Sequence, residues 1–209
     1  MASYFSQAFG ITRTSEDDWF DPVLSADTQL FVDPFLIFLD SAPAFVGAHD
    51  ELVEYFNICF TLVAESQSNT RSIAYQKALS LLHFPEPREF CLGYAENSTH
   101  GAGGGSGYAN LIAMAMNFAI QRGVRDLRHF EELGVLEEGI GPDRISDLTC
   151  NVLRSRFIAY TESVVARHEL ETSAFTFEAG RFDPRDENHG NSPESITEIP
   201  HLLRAAVGH

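Results

Sequence analysis

Residues 108–122 read YANLIAMAMNFAIQR, and this stretch decides the fold. Apolar side chains occupy almost every face of a helix drawn through it, and a helix that is apolar all round is expected to be buried. Gly123 follows directly, as glycine commonly does after the last turn of a helix. The sequence therefore predicts a central helix over 108–122, with amphipathic helices packed around it.

Two amphipathic helices are predicted before the central one. Over 49–66, apolar residues recur at intervals of three and four, which is the helical period. These residues are Leu52, Tyr55, Phe56, Cys59, Phe60 and Val63. A further helix is predicted over 70–82, because Pro85 and Pro87 follow it and cannot continue it. Both helices are expected to turn one apolar face towards the core.

After the central helix, the sequence predicts a short helix over 126–133 and the longest helix of the chain over 143–169. Pro142 and Asp143 favour the start of the longer helix. Proline fits the first helical turn, and an acidic side chain there complements the positive end of the helix dipole.

Short strands are predicted over 29–33, 88–94 and 174–178. Residues 29–33 read QLFVD, in which aromatic and β-branched residues precede Pro34, a residue that ends a strand. A short helix is the alternative for the same residues. The predicted fold class is α+β and predominantly helical, with central apolar helices and a few short strands.

The chain of 209 residues fits one domain with a tail. Residues 1–180 are predicted to form a single globular, helix-rich domain. Residues 181–209 are predicted to be an irregular acidic tail, because the stretch 183–200 is rich in Asp, Glu, Asn, Pro and Ser.

The chain is strongly acidic, with 30 Asp and Glu residues against 14 Lys and Arg residues and a formal charge of -16. Such a charge repels polyanions, so nucleic acid is an expected partner only if basic residues gather in one local patch. A metal-dependent enzyme acting on phosphates is still compatible with this balance, because bound cations neutralise their acidic ligands.

A cytoplasmic location is expected from the cysteines and from the start of the chain. Three cysteines without a CxxC pair are typical of reduced thiols. The first residues carry neither a basic region nor a long apolar run, and no apolar window is long enough to span a membrane.

The strongest candidate for a functional site is the acidic segment around 137–147. Asp143 and Asp147 are four residues apart on the predicted helix, so their carboxylates share one face, and Glu138 lies just across a glycine turn. Converging carboxylates repel one another unless a cation is bound, which predicts a Mg²⁺ or Mn²⁺ site. Asp33, at the end of a predicted strand, is a candidate fourth ligand, and an Asp-Pro turn that ends the strand is the alternative for it. Helix capping and solvated acids are the alternative explanation, and Arg144 is also placed to pair with Glu138.

Two other features receive weaker functional interpretations. Residues 101–107, within a glycine-rich loop, precede the central helix and either present backbone N–H groups to an anion or permit close packing. The eight histidines show no HxxxH or HExxH spacing, so the sequence does not predict a zinc site. His100, beside the glycines, is the only histidine that the sequence singles out.

Residues 139–149, GIGPDRISDLT, resemble an uncharacterised bacterial protein family with the signature G-I-G-x-D-x-I-S-D-x-T. The motif LFVDP at 30–34 is similar to that family too, and the resemblance covers about residues 1–165. It implies a nuclease-like domain from a bacterial defence system. The chain departs from the PD-(D/E)xK nuclease pattern, because it has no lysine after Lys77.

Two functions from different classes follow. The first is a Mg²⁺- or Mn²⁺-dependent phosphodiesterase or nuclease-like domain, with Glu138, Asp143 and Asp147 as catalytic metal ligands and Asp33 as a further ligand. A bound cation would lower the pKa of a water molecule and stabilise charge on the phosphate. The second is a non-catalytic interaction or regulatory protein whose acidic surface binds a basic partner protein, or which forms a homo-oligomer.

Overall fold

The computed structural model describes residues 4–24, 30–39, 42–84, 90, 92, 105–129, 140–176 and 195–200. This part of the chain is predominantly helical, as predicted. The helices are α1 (Phe5–Ala8), α2 (Pro34–Leu39), α3 (Ala48–Glu65), α4 (Ile73–Leu81), α5 (Gly105–Gln121), α6 (Pro142–Val152) and α7 (Arg154–Arg167), with a 3₁₀ turn at Pro43–Phe45. None of the helices in the described residues is long and apolar enough to cross a membrane.

Two strands, β1 (Thr172–Thr176) and β2 (Ser195–Pro200), pair in antiparallel register with an irregularity in the ladder. β1 shares residues 174–176 with the strand predicted over 174–178, and residues 177–178 lie outside the described residues. β2 lies within the segment predicted to be an irregular tail. Of the strand predicted over 88–94, only Phe90 and Leu92 are described.

The main core is built on α3, which packs against α4, α5, α2 and α6. Its buried residues are those that the period of three and four predicted, together with Ala48 at its first turn. The helices predicted over 49–66 and 70–82 are thereby confirmed as α3 and α4. The hydroxyl group of Tyr55 donates to the main-chain oxygen of Leu81 at 2.8 Å, so this core aromatic also satisfies its polar atom on α4.

The helix predicted over 108–122 is confirmed as α5, but it is buried on one face only. Ala109, Ile112 and Met116 belong to the core, whereas the side chains of Met114 and Phe118 are 61% and 41% exposed. Composition alone predicted a helix surrounded on all sides. In the structure the largest buried side chains come mainly from α3, and α5 contributes several alanines to the core.

The strand predicted over 29–33 is wrong where the structure describes it. Residues 30–33 have no regular secondary structure, and Pro34 is the first residue of α2. Asp33 lies immediately before that helix, and its carboxylate accepts a hydrogen bond from the N–H of Phe35 at 2.9 Å. An aspartate followed by proline is a favourable helix start, since the side chain caps a free N–H and proline needs no donor. The alternative, a short helix over the same residues, is not found over 30–33 either, because α2 begins only at Pro34.

The single long helix predicted over 143–169 is wrong, because the chain breaks at Leu153 into α6 and α7. Just before the break, two side chains bond back to main-chain oxygens of the preceding turn. The Thr149 hydroxyl donates to Ile145 at 2.7 Å and the Asn151 amide donates to Asp147 at 2.9 Å. Bonds of this kind compete with the helix and bend it.

The helix predicted over 126–133 is wrong for its first four residues, which are not helical; residues 130–133 lie outside the described residues. A side chain of α3 fixes the main chain of this segment by hydrogen bonds. The Asn57 side chain of α3 donates to the Leu127 oxygen at 2.9 Å and accepts from the Leu127 N–H at 2.8 Å. Both polar groups of the Leu127 main chain are therefore satisfied without a helix.

A second, smaller apolar cluster joins the N-terminal segment to α7. Phe5 and Trp19 are buried against Val164 in this cluster. At its edge, Asp17 accepts from the Trp19 indole N–H at 3.0 Å and lies 3.0 Å from the His168 ring. The Thr14 N–H, which donates to the Asp17 carboxylate at 2.7 Å, holds the pKa of that carboxyl below its ordinary value of 3.8.

We predict that, at acidic pH, the free energy of unfolding depends less on pH in Asp17→Asn than in the wild type. The folded pKa of Asp17 is lower than the unfolded one, so the ionised side chain stabilises the fold fully above about pH 4. That contribution is lost as the pH falls through the folded pKa. Urea unfolding at a series of pH values, followed by the fluorescence of Trp19, measures it. Glu16→Gln, a neighbouring exposed acid, is the control, and the same pH dependence in wild type and Asp17→Asn would contradict the prediction.

Candidate functional site

The candidate site is centred on the first turns of α6. The helix begins at Pro142, as predicted, with Gly141 as its N-cap residue. Asp143 lies in the first turn and Asp147 one turn later, so both carboxylates are on one side of the helix. Both residues are half-buried, whereas Ser146 and Leu148, on either side of Asp147 in the sequence, are buried.

Tyr108 of α5 lies against this side of α6. The guanidinium carbon of Arg144 is 4.6 Å from the centre of the Tyr108 ring, within the range of a cation–π contact. Burial is the largest cause that raises the pKa of Tyr108 to about 12; Arg144 opposes the rise, and the Asp143 and Asp147 carboxylates add to it. The phenol is therefore protonated at neutral pH, and both carboxylates lie close enough to act on it.

The segment before α2 approaches α6 from another side. The N–H of Val32 donates to the hydroxyl oxygen of Ser146 at 2.9 Å, and Ser146 is buried. This bond places Asp33, the next residue, near α6. Asp33 is exposed, and its carboxylate already caps α2 through the N–H of Phe35. In the structure Asp33 acts as a helix cap, whereas the alternative to its role as a ligand was an Asp-Pro turn at the end of a strand.

The structure thus brings Asp143 and Asp147 together beside Tyr108 and Arg144, a group that we call the carboxylate site. Glu138 lies outside the described residues. Among the residues that are described, no three side chains of His, Cys, Asp or Glu form a group that could hold a metal ion. The predicted Mg²⁺ or Mn²⁺ site stays a prediction, and it requires Glu138 or another ligand from beyond the described ranges.

Sequence reasoning did not find Tyr108 or Ser146 as parts of this site. Tyr108 was assigned to the apolar helix, and the sequence offered Glu138, not an aromatic ring, as a partner for Arg144. Ser146 could have been identified from the sequence, because a serine on the apolar side of an amphipathic helix indicates a buried hydroxyl group that needs a hydrogen-bond partner. No pattern within the sequence links residue 108 to residue 144.

A second feature that sequence reasoning missed is an exposed apolar surface on α2. Phe35, Leu36, Phe38 and Leu39 are 49%, 63%, 48% and 62% exposed, and we call these four residues the α2 face. Successive positions of a helix are turned by about 100°, so all four lie within one half of its circumference. Ile37 points the other way and packs on the main core.

Acidic residues lie at the edge of the α2 face. Asp33 directly precedes the helix, and Asp50 follows His49, whose ring centre is 4.5 Å from that of Phe38. Both aspartates are exposed. Arg128 is also exposed and precedes His129, whose ring centre is 5.4 Å from that of Phe38, so the described edge of the α2 face carries both acidic and basic residues.

Comparison with known proteins gives a family and no activity. The family model described as Domain of unknown function (DUF8370) matches residues 10–199. No curated protein and no solved structure matches the chain. The match is consistent with the predicted membership of an uncharacterised family, and it extends beyond residue 165, where the resemblance was expected to end.

Proposed function

The chain belongs to the DUF8370 family, and we propose that it is a non-catalytic binding protein whose α2 face docks a basic, amphipathic segment of a partner protein. The observation that carries this proposal is the exposure of four large apolar side chains on one short helix. A grouped set of exposed apolar residues is typical of an interaction site, whereas single exposed ones are ordinary.

The α2 helix is well placed to bind without rearranging. Its N-terminus is fixed by the Asp33 cap and by the bond from Val32 to Ser146, and Ile37 anchors its inner side in the core. The outer side therefore presents Phe35 and Leu39 on a supported backbone. Pre-organisation of this kind lowers the entropy lost on binding.

Charge selects the class of partner. The net charge of -16 favours basic partners over acidic ones, and Asp33 and Asp50 add two acids near the α2 face, where Arg128 is also exposed. An amphipathic basic helix matches both features, with apolar side chains on the face and Lys or Arg at the rim. A second copy of this chain is a poorer occupant, because two chains of this charge repel each other.

We predict that the protein binds a synthetic helical peptide built from Leu and Lys at helical spacing, and that Leu36→Ser/Leu39→Ser weakens this binding at least about tenfold. Together the two substitutions remove apolar area worth about 1.4 kcal/mol or more in the complex, since full burial of one leucine contributes about 1.5–3 kcal/mol. Fluorescence anisotropy of a labelled peptide at two salt concentrations measures the affinity.

The matched control is Ile73→Ser, because Ile73 is an apolar residue, 89% exposed, on α4 and outside the α2 face. It should leave the affinity unchanged. A peptide in which Glu replaces Lys should bind far more weakly, and binding of the basic peptide should weaken as salt rises. Equal peptide affinity for wild type and the double variant, or self-association of the protein in place of peptide binding, would overturn the proposal.

A second candidate function is favoured by the carboxylate site. According to this second candidate, the chain is a Mg²⁺- or Mn²⁺-dependent phosphodiesterase, a nuclease-like domain of a bacterial defence system. Asp143, Asp147 and Glu138 would hold the cation, with Asp33 as a further ligand. The placement of Asp143 and Asp147 on one side of α6, beside the protonated Tyr108, supports this candidate. Tyr108 and Arg144 would supply donors to a phosphate oxygen.

For this candidate we predict that Mg²⁺ or Mn²⁺ raises the melting temperature of the wild type and not that of Asp147→Asn. Only a ligand that binds the folded state produces such a rise. Asp33→Asn separates the two roles of Asp33, because asparagine caps a helix about as well but is a weaker cation ligand. If Asp33 is only a cap, Asp33→Asn melts like the wild type with and without the cation. The absence of any rise in the wild type would eliminate the candidate.

A further inference from the structure

Two histidines that are 80 positions apart in the chain come together beneath the α2 face. The ring centres of His49 and His129 are 4.9 Å apart, with an interplanar angle of 46°. Phe38 of α2 covers both rings, at 4.5 Å from His49 and 5.4 Å from His129. The three rings belong to α2, to the first turn of α3, and to the segment that follows α5.

Helix α3 positions both histidines. His49 and Asn57 are eight residues apart on α3, so they lie on the same side of the helix, two turns from each other. Asn57 holds the main chain of Leu127 with two hydrogen bonds. The segment 127–129 then runs from Asn57 towards the start of α3, where His129 meets His49.

The spacing of the rings suits two imidazoles that share one metal ion. Zinc binds imidazole nitrogen at about 2.0–2.1 Å, so two imidazoles at adjacent positions of a tetrahedral or octahedral ion have ring centres about 4.5–5.2 Å apart. The measured 4.9 Å lies within that range.

One ring nitrogen of His129 is also available to bind a metal ion. Its Nδ1 atom is buried and makes no hydrogen bond within the part of the chain that the structure describes. A buried polar atom without a partner is destabilising, and such atoms in native proteins usually signal a missing ion, water or function. A cation at this point would satisfy it.

We propose that His49 and His129 bind one divalent transition-metal ion of the class Zn²⁺, Co²⁺, Ni²⁺ or Cu²⁺, with water at its remaining positions. Neutral imidazole prefers these ions, whereas Mg²⁺ and Mn²⁺ favour carboxylate oxygens. This site is therefore distinct from the carboxylate site, and it stands whether or not the proposed function does. Phe38 shields its outer side and couples it to α2.

The test is a calorimetric titration of Zn²⁺ into the chain without an affinity tag, for wild type, His49→Gln, His129→Gln and the control His83→Gln. His83 is an exposed histidine at the end of α4, away from the pair. The expected result is one Zn²⁺ per wild-type chain, at least about tenfold weaker binding in either variant of the pair, and no change in His83→Gln. An excess of Mg²⁺ should not compete.

A second measurement does not depend on the variants being folded. Cu²⁺ bound to the wild type should show two equivalent imidazole nitrogens by electron paramagnetic resonance. Zn²⁺ binding that is equally strong in His49→Gln and His129→Gln, no Zn²⁺ binding by the wild type, or a Cu²⁺ spectrum with a single nitrogen would each overturn the proposal. In those cases the three rings are an aromatic packing cluster alone.

Discussion

The paired hydrogen bonds between the Asn57 side chain and the Leu127 main chain are the constraint on which the arrangement of the histidine pair depends most. A main-chain N–H and C=O that leave a helix and are buried need partners, and leaving them unpaired costs about 1–3 kcal/mol. Asn57 provides both partners from one side chain. It thereby sets the path of the chain after α5 and brings His129 to the first turn of α3, where Phe38 of α2 rests on it.

Helix α3 is consequently more than the largest contributor to the core. Its inner face buries a continuous apolar stripe, and its remaining faces carry the polar contacts that position the rest. Glu51 forms an ion pair with Arg156 of α7 at 2.6 Å, and the same guanidinium donates to the oxygens of Ala44 and Val46. These bonds fix the turn between α2 and α3. The α2 face is therefore exposed on a supported helix, which is the property that a docking surface requires.

The sequence predicted the parts of the fold that local periodicity controls and missed those that depend on distant contacts. The period of three and four residues identified α3 and α4, and the Pro142–Asp143 start identified α6. No proline or glycine marks the break at Leu153. The break follows hydrogen bonds of the Thr149 and Asn151 side chains, which no sequence pattern predicts. Residues 30–33 have the composition of a strand, but the aspartate–proline pair acts as a helix start. The meeting of residues 49 and 129 rests on contacts between segments far apart in the chain.

Native-state hydrogen exchange at the Leu127 amide, in wild type and in Asn57→Ala, tests this constraint most directly. We predict strong protection of that amide in the wild type and a loss of about 1–3 kcal/mol of protection in the variant, with amides in the interior of α4 unchanged. Rapid exchange of the Leu127 amide in the wild type, or equal protection in both proteins, would contradict the role assigned to Asn57.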